Sequence, residues 1–218
     1  MQKGFSLSCD RVLTDAEIVS IYNIKQEKLK ASVVYKDCRG GGSDAQKYVR
    51  IEVSTANDVL VERPVEREYF EQAKLLSKTG YGKVAKHYLF RLKESYKQHG
   101  IGKELHANEF TLYKLREFDE IQLKAAWDGL VVWRRLHFRF INQDVEKSLL
   151  RKLQAYLIEI KGYSKSEVAT ILDKKQSIAS IHSDYLIDSV KLHFTDWLTQ
   201  KALESDIIMV EEMVKEVA

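Results

Sequence analysis

Several residue types are scarce in this chain of 218 residues, and each scarcity argues against a class of protein. A single proline, Pro64, and ten glycines are too few for a linker-rich or low-complexity protein. No stretch approaches the roughly 18 consecutive apolar residues that a membrane helix needs. No long apolar run follows Lys3, as a secretory signal would require. We therefore expect a cytoplasmic protein without a membrane span.

Cysteine and net charge are also low. The two cysteines, Cys9 and Cys38, lie far apart without the short spacing of a zinc site, and a disulfide framework needs more of them. We predict two reduced thiols and no metal. The 35 basic residues exceed the 32 acidic ones by only three, so the total charge supplies no footprint for nucleic acid.

The hydrophobic residues, 44% of the chain, follow patterns that alternate between helix and strand over its first two thirds. Such an order predicts an α+β fold, with a mixed sheet flanked by helices. Three glycines at 40–42 predict the flexible tip of a hairpin between two of these strands. The predicted helices cover residues 10–31, 65–78, 103–115 and 128–136, and the predicted strands cover residues 31–35, 48–53, 84–92 and 118–125.

The last third of the chain has a helical character. Apolar residues at helical spacing predict a helix that ends at Gly162, and Ser164 with Glu167 three residues later forms a capping-box pattern for the next. Two further helices are predicted, over residues 177–203 and 206–217. We therefore divide the chain into a core domain of residues 1–143 and a helical C-terminal extension of residues 144–218.

The most informative segment joins the strand ending near Leu92 to the helix opening at Lys103. Its loop carries Gly100 and Gly102, which let backbone N–H groups approach an oxyanion closely. The helix dipole and the charge of Lys97 add to the attraction. The pattern predicts an anion site, although an ordinary strand–turn–helix with a glycine cap also accounts for it. A dinucleotide fingerprint needs a third glycine, which this loop lacks.

Two segments resemble motifs of the GNAT superfamily of acetyltransferases. Residues 96–102, Tyr-Lys-Gln-His-Gly-Ile-Gly, with Leu105 behind them, resemble its acyl-CoA pyrophosphate loop, Arg/Gln-x-x-Gly-x-Gly/Ala. Residues 125–138 resemble the segment that the family closes with Phe-Trp/Tyr-x-x-Leu-Gly-Phe. Lys97 replaces the usual arginine or glutamine, and His137 replaces the glycine. The resemblance covers about residues 84–140.

The resemblance implies a twisted mixed sheet whose central strands splay apart around acetyl-CoA. Its pantetheine would pair with the strand backbone, and its pyrophosphate would lie on the loop and the helix N-terminus. An acceptor amine would attack the thioester directly. The implied cofactor-binding residues are Phe90, Leu92, Lys97, Gln98, His99, Gly100, Ile101, Gly102 and Lys103.

Direct attack by the amine also requires a base that deprotonates the ammonium group and an acid near the departing thiolate. Many members of the family use a tyrosine where this chain has Trp133, whose indole has no usable acidity. The remaining acid candidates are Tyr88, Tyr96 and Tyr113, and the base candidates are Glu94, His87, His99 and His137. We assign Glu94 as base and Tyr113 as acid.

Three hypotheses follow for function. The first is an acetyltransferase acting on an amine of a small molecule or a protein. The second is a catalytically inactive protein of this fold that binds acyl-CoA or a partner, which the replacements at Trp133 and His137 keep open. The third uses the aromatic and basic residues at 133–140 to bind nucleic acid, although core aromatics beside solvent-exposed arginines explain that pattern more simply. The helical extension would form a lid or a homodimer surface.

Overall fold

The computed structural model describes residues 12–24, 29–39, 46–96, 100–126, 129–173, 175, 177–187, 192–204 and 210–217. Within these residues the strands are β1 (Lys30–Arg39), β2 (Gln46–Ser54), β3 (Val65–Lys74), β4 (Tyr81–Leu89), β5 (Glu120–Ala126), β6 (Arg139–Phe140) and β7 (Val210–Glu216). The α-helices are α1 (Asp15–Tyr22), α2 (Ile101–Leu115), α3 (Gly129–Arg135), α4 (Asp144–Glu159), α5 (Lys165–Leu172), α6 (Ser183–Leu186) and α7 (Phe194–Glu204). The described residues also contain two 3-10 turns, Glu94–Tyr96 and Ile178–Ser180.

The chain divides into two compact units. The first comprises Met1–Leu123 and Lys215–Ala218, and the second comprises Lys124–Val214. The boundary predicted between residues 143 and 144 lies inside the second unit. The change of character that we saw in the sequence therefore falls later in the chain than the structural division.

The sheet of the first unit is mixed, which confirms the α+β fold class. Strands β1 to β4 pair antiparallel in sequence order, and β5 pairs parallel to β4. A parallel partner requires a crossover, and α2 supplies it between β4 and β5. The β4–β5 pairs run from Val84–Glu120 to His87–Leu123, while β4 continues to Leu89. The glycine loop therefore follows the carboxyl end of β4, beyond the last residue of β4 that pairs with β5.

Strand β2 shows how one face of this sheet is packed. Val49, Ile51 and Val53 alternate with more accessible residues and are fully buried, as the period-2 pattern requires. Lys47 continues the buried row, and its Nζ lies 2.7 Å from Asp15 Oδ1 at the start of α1. Thr14 caps the same helix with Glu17 in a reciprocal capping box. The predicted helix over residues 10–31 is therefore much shorter, and Asn23 ends it.

The second unit carries helices α3 to α7 and the pairing of β6 with β7. Arg139 and Phe140 pair antiparallel with Val214 and Met213. Ser164 caps α5 with Glu167, so the capping box predicted from sequence is confirmed. The single helix predicted over 177–203 is instead a 3-10 turn followed by α6 and α7.

Three expectations from the sequence are wrong. Residues 65–74 form strand β3, whereas we predicted a helix over 65–78, and residues 210–216 form strand β7 inside another predicted helix. Cys38 is disulfide-bonded, whereas we predicted reduced thiols. The chain's other cysteine, Cys9, lies outside the described residues.

Candidate functional site

The backbone that follows β4 is held against the connection between β2 and β3. Leu92 forms an antiparallel bridge with Val61, flanked by hydrogen bonds from Glu62 N–H to the Arg91 carbonyl (2.9 Å) and from Lys93 N–H to the Leu60 carbonyl (2.8 Å). In such a pair the bridged residue directs its own N–H and C=O to the opposite edge. Leu92 therefore presents its polar backbone away from residues 60–62.

Side chains hold the next turn in place. Lys93 Nζ lies 2.6 Å from Asp58 Oδ1, and the Tyr96 hydroxyl donates to Asp58 Oδ2 at 3.3 Å. The hydrogen bond from Lys93 is the main reason that the pKa of Asp58 lies below its ordinary value. These contacts fix the 3-10 turn Glu94–Tyr96, from which the glycine loop departs. Three of the predicted cofactor residues, Lys97, Gln98 and His99, lie outside the described residues.

Gly100 begins α2 in the left-handed conformation. Its φ is +79°, and its carbonyl accepts the first hydrogen bond of the helix, from Glu104 N–H at 3.0 Å. The N–H groups of Ile101, Gly102 and Lys103 precede that bond, so they have no carbonyl within the helix to bind. A Cβ on Gly102 would lie 3.3 Å from the ring of Phe90. The helix N-terminus is therefore packed closely on the residue that follows β4.

The structure places the two predicted catalytic residues differently. Glu94 opens the 3-10 turn, and its side chain lies outside what the structure describes. Tyr113 is fully buried, with its hydroxyl 3.2 Å from His87 Nε2 and 3.4 Å from the Tyr69 hydroxyl. Burial raises the pKa of Tyr113 well above its ordinary value. A phenol enclosed in this way is poorly placed to protonate a departing thiolate.

Two other candidates, His87 and Tyr88, differ in their exposure to solvent. His87 is also buried, and burial holds its pKa well below the ordinary value. Tyr88, the next residue, faces the opposite side of β4 and is 49% exposed. Its hydroxyl donates to Glu68 Oε2 at 2.5 Å, and Glu68 is almost fully buried on β3.

We missed Glu68 because the stretch around it was predicted to be helical. Period-2 alternation along β3 is the signal that could have found it.

The second motif lies in the second unit and contains an unusual backbone position. His137 has φ +70°, a left-handed conformation that favours glycine. This is the position where the GNAT motif has its glycine. Trp133 packs edge-on against Phe138, with the ring centroids 5.3 Å apart. The Trp133 ring thus contributes to packing at Phe138.

Two features of the described residues bear on other classes of function. None of the helices in the described part of the chain is long and apolar enough to cross a membrane. Groups of three or more His, Cys, Asp or Glu side chains able to hold a metal ion are likewise absent from the described ranges.

Comparison with known proteins finds a distant structural likeness. No family model and no curated protein sequence matches the chain. Among solved structures, it is similar to a GNAT family acetyltransferase from Elizabethkingia anophelis with acetyl-CoA bound. The two are 9% identical, and the TM-score is 0.32. The alignment covers 52% of this chain and 78% of the other.

Proposed function

We propose that this chain binds acetyl-CoA at the N-terminus of α2 and transfers the acetyl group to an amine. The observation that carries the proposal is the left-handed Gly100, which caps a helix of 15 residues in the connection that follows strand β4. Successive N–H groups and the helix dipole then converge on one point, which suits a pyrophosphate.

The proposed pose uses the whole predicted set of cofactor residues. The pyrophosphate would lie on the N–H groups of Gln98 to Lys103, and Lys97 would supply a positive charge to it. Pantetheine pairs with the edge of the strand that Phe90 and Leu92 present. The orientation of the Leu92 backbone away from residues 60–62 supports this step, because that edge is not the one bonded to the connection between β2 and β3.

The proposed reaction is a direct transfer. The acceptor nitrogen attacks the thioester carbonyl, a C–N bond forms, and the C–S bond breaks. A base takes the proton that the amine loses, and the thiolate takes a proton from an acid, so that the products are an N-acetyl amide and CoA thiol. Glu94 stays the proposed base. We assign the acid to Tyr88 in place of Tyr113, because Tyr88 is exposed and lies two residues before Phe90.

Two matched substitutions test the acid. Tyr88→Phe is expected to lower kcat by roughly a hundredfold, the usual contribution of a positioned general acid. Tyr113→Phe is expected to leave kcat unchanged and to destabilise the fold by about 1 kcal/mol through its lost hydrogen bonds. Steady-state kinetics and urea denaturation measure the two effects. The opposite pattern, with turnover lost only in Tyr113→Phe, would return the role to Tyr113.

An alternative is that the chain binds acyl-CoA and catalyses nothing. The observation that favours it is the packing of Trp133 on Phe138, since many members of the family place an acidic phenol at that position. Thiol release separates the two proposals. An enzyme releases CoA thiol from acetyl-CoA when a suitable amine is present, whereas a binder leaves the thioester intact with every amine offered.

Calorimetric titration with acetyl-CoA tests the cofactor itself. We expect micromolar affinity, and we expect S-acetylpantetheine, which lacks the pyrophosphate, to bind much more weakly. Equal affinity for the two ligands would reject the pyrophosphate loop. Absence of binding at millimolar acetyl-CoA would reject the proposed function altogether.

A further inference from the structure

A pair of opposite charges is buried beneath α2. Arg67 on β3 and Glu109 on α2 are 1% and 2% exposed, and Arg67 Nε lies 2.9 Å from Glu109 Oε1. The Tyr22 hydroxyl, at the end of α1, donates to the same oxygen at 2.5 Å. Three elements of the first unit therefore meet at one carboxylate.

Further polar groups surround the other carboxylate oxygen. The Nδ1 atoms of His87 on β4 and His106 on α2 lie 3.8 and 3.7 Å from Glu109 Oε2. His106 Nε2 is in turn 3.2 Å from Nζ of Lys215 on β7. The groups that face Glu109 thus come from α1, β3, β4 and α2 itself.

Stability alone does not account for such a pair. The desolvation of two buried charges offsets most of their attraction, and apolar side chains of similar volume often stabilise a fold equally well. A buried ion pair fixes the relative orientation of the two elements that carry it, because its hydrogen bonds form in only one arrangement of those elements. An apolar contact tolerates a small sliding or rotation of a helix. The hydrogen-bonded pair of Arg67 and Glu109 does not, because its atoms would lose their bonding geometry.

Glu109 lies on the face of α2 that also carries Gly102, so the ion pair fixes the orientation of the helix end next to the cofactor loop. Glu109 follows Gly102 by seven residues, so two helical turns, about 10 Å, separate them on the same face. Gly102 packs on Phe90 at one end of that face, and Tyr113 packs on Tyr69 at the other. Rotation of the helix by one residue, roughly 100°, would turn both ends away from the sheet.

We propose that Arg67 and Glu109 are positioning residues, which fix the rotation and register of α2 so that the N–H groups of residues 101–103 point at the cofactor pyrophosphate. The inference rests on the proposed function for the identity of the ligand. Its structural content, that the ion pair orders the first turn of α2, stands independently of that ligand.

The test replaces both charges by apolar side chains of similar size. We expect Arg67→Met/Glu109→Leu to fold, with a melting temperature lowered only by the hydrogen bond that the buried Tyr22 hydroxyl loses. We expect it to bind acetyl-CoA about tenfold more weakly, because the N–H groups of residues 101–103 are displaced from the pyrophosphate. Amide exchange at residues 104 and 105, whose N–H groups are the first to bond within the helix, should quicken by about tenfold. The control, Arg50→Met/Glu66→Leu, removes an exposed ion pair of 2.8 Å between β2 and β3 and should change neither measurement.

Each outcome decides the proposal. Unchanged affinity and unchanged exchange in a folded double variant would overturn it. If the double variant does not fold, Tyr22→Phe removes one hydrogen bond from Glu109 and should produce a smaller shift of the same sign, whereas no shift would overturn the proposal. If the unaltered protein does not bind acetyl-CoA, the proposed function fails, and the exchange rates alone decide whether the pair orders α2.

Discussion

Gly100→Asp is expected to weaken acetyl-CoA binding by about a hundredfold or more. The new carboxylate would stand beside the N–H groups that receive the pyrophosphate, and two like charges a few ångströms apart repel by ~2–4 kcal/mol at a protein surface. Folding should be little affected, because aspartate tolerates the left-handed conformation better than most residues and favours a helix N-terminus. Calorimetry and thermal melting separate the two quantities.

Two control variants isolate the cause. Gly100→Asn has the same shape without the charge, so it should retain much more affinity than the aspartate variant. Gly162→Asp places the same charge at φ +78°, with open space around it as at Gly100, at the end of a helix in the second unit. It should leave affinity unchanged. Equal losses in the Asp and Asn variants at position 100 would mean that backbone strain, and not charge at an anion site, governs binding.

Glu109→Ala is expected to destabilise the fold by about 3–5 kcal/mol, the usual effect of breaking one partner of a buried ion pair. The substitution removes the carboxylate that neutralises the charge of Arg67 inside the core, and it deprives the Tyr22 hydroxyl of its acceptor. Urea denaturation measures the loss. Glu66→Ala is the control, because Glu66 pairs with the exposed Arg50 and such pairs contribute about 1 kcal/mol or less.

The loss should also depend on pH. Burial by itself would raise the pKa of Glu109, but Arg67 and the neighbouring histidines hold it well below the ordinary value of 4.5. A depressed pKa in the folded state contributes stability that is present above the unfolded pKa and lost as the pH falls. The difference between the unaltered protein and Glu109→Ala should therefore be largest near neutral pH and should shrink below about pH 4.5. A difference that stays constant into acid would mean that the carboxylate charge contributes little.

The failure to predict β3 has an identifiable physical cause. Val65, Arg67 and Tyr69 form one buried row of this strand, but Glu68 between them is buried as well, so charged residues interrupt the simple alternation of apolar and polar positions. Arginine is almost never fully buried unless it is paired. Its partner, Glu109, lies 42 residues away in sequence. The local sequence therefore did not indicate a strand here. The proposed positioning residues, Arg67 and Glu109, could not be predicted for the same reason, since they pair across a long sequence separation.

The prediction at the C-terminus failed for a related reason. The local sequence of β7 also fitted a helix, and one of its partner strands, Arg139–Phe140, is two residues long and distant in sequence. Pairing of strands depends on partners that local propensity does not contain. The disulfide at Cys38 is a further example, because the sequence separation of two cysteines does not give their distance in space.

The sequence by itself determined the local features of this protein. Apolar periodicity predicted most of the helices and strands of the first two thirds, the pair Ser164 and Glu167 predicted a cap, and Gly100 marked the start of a helix behind a strand. Each of these signals is contained within a few consecutive residues, where backbone preferences and hydrogen bonds are local. Only the tertiary structure decided which phenol is exposed, that Arg67 and Glu109 meet in the core, and that β5 runs parallel to β4. Those features depend on contacts between distant segments, whose geometry follows from how the whole sheet and its helices pack.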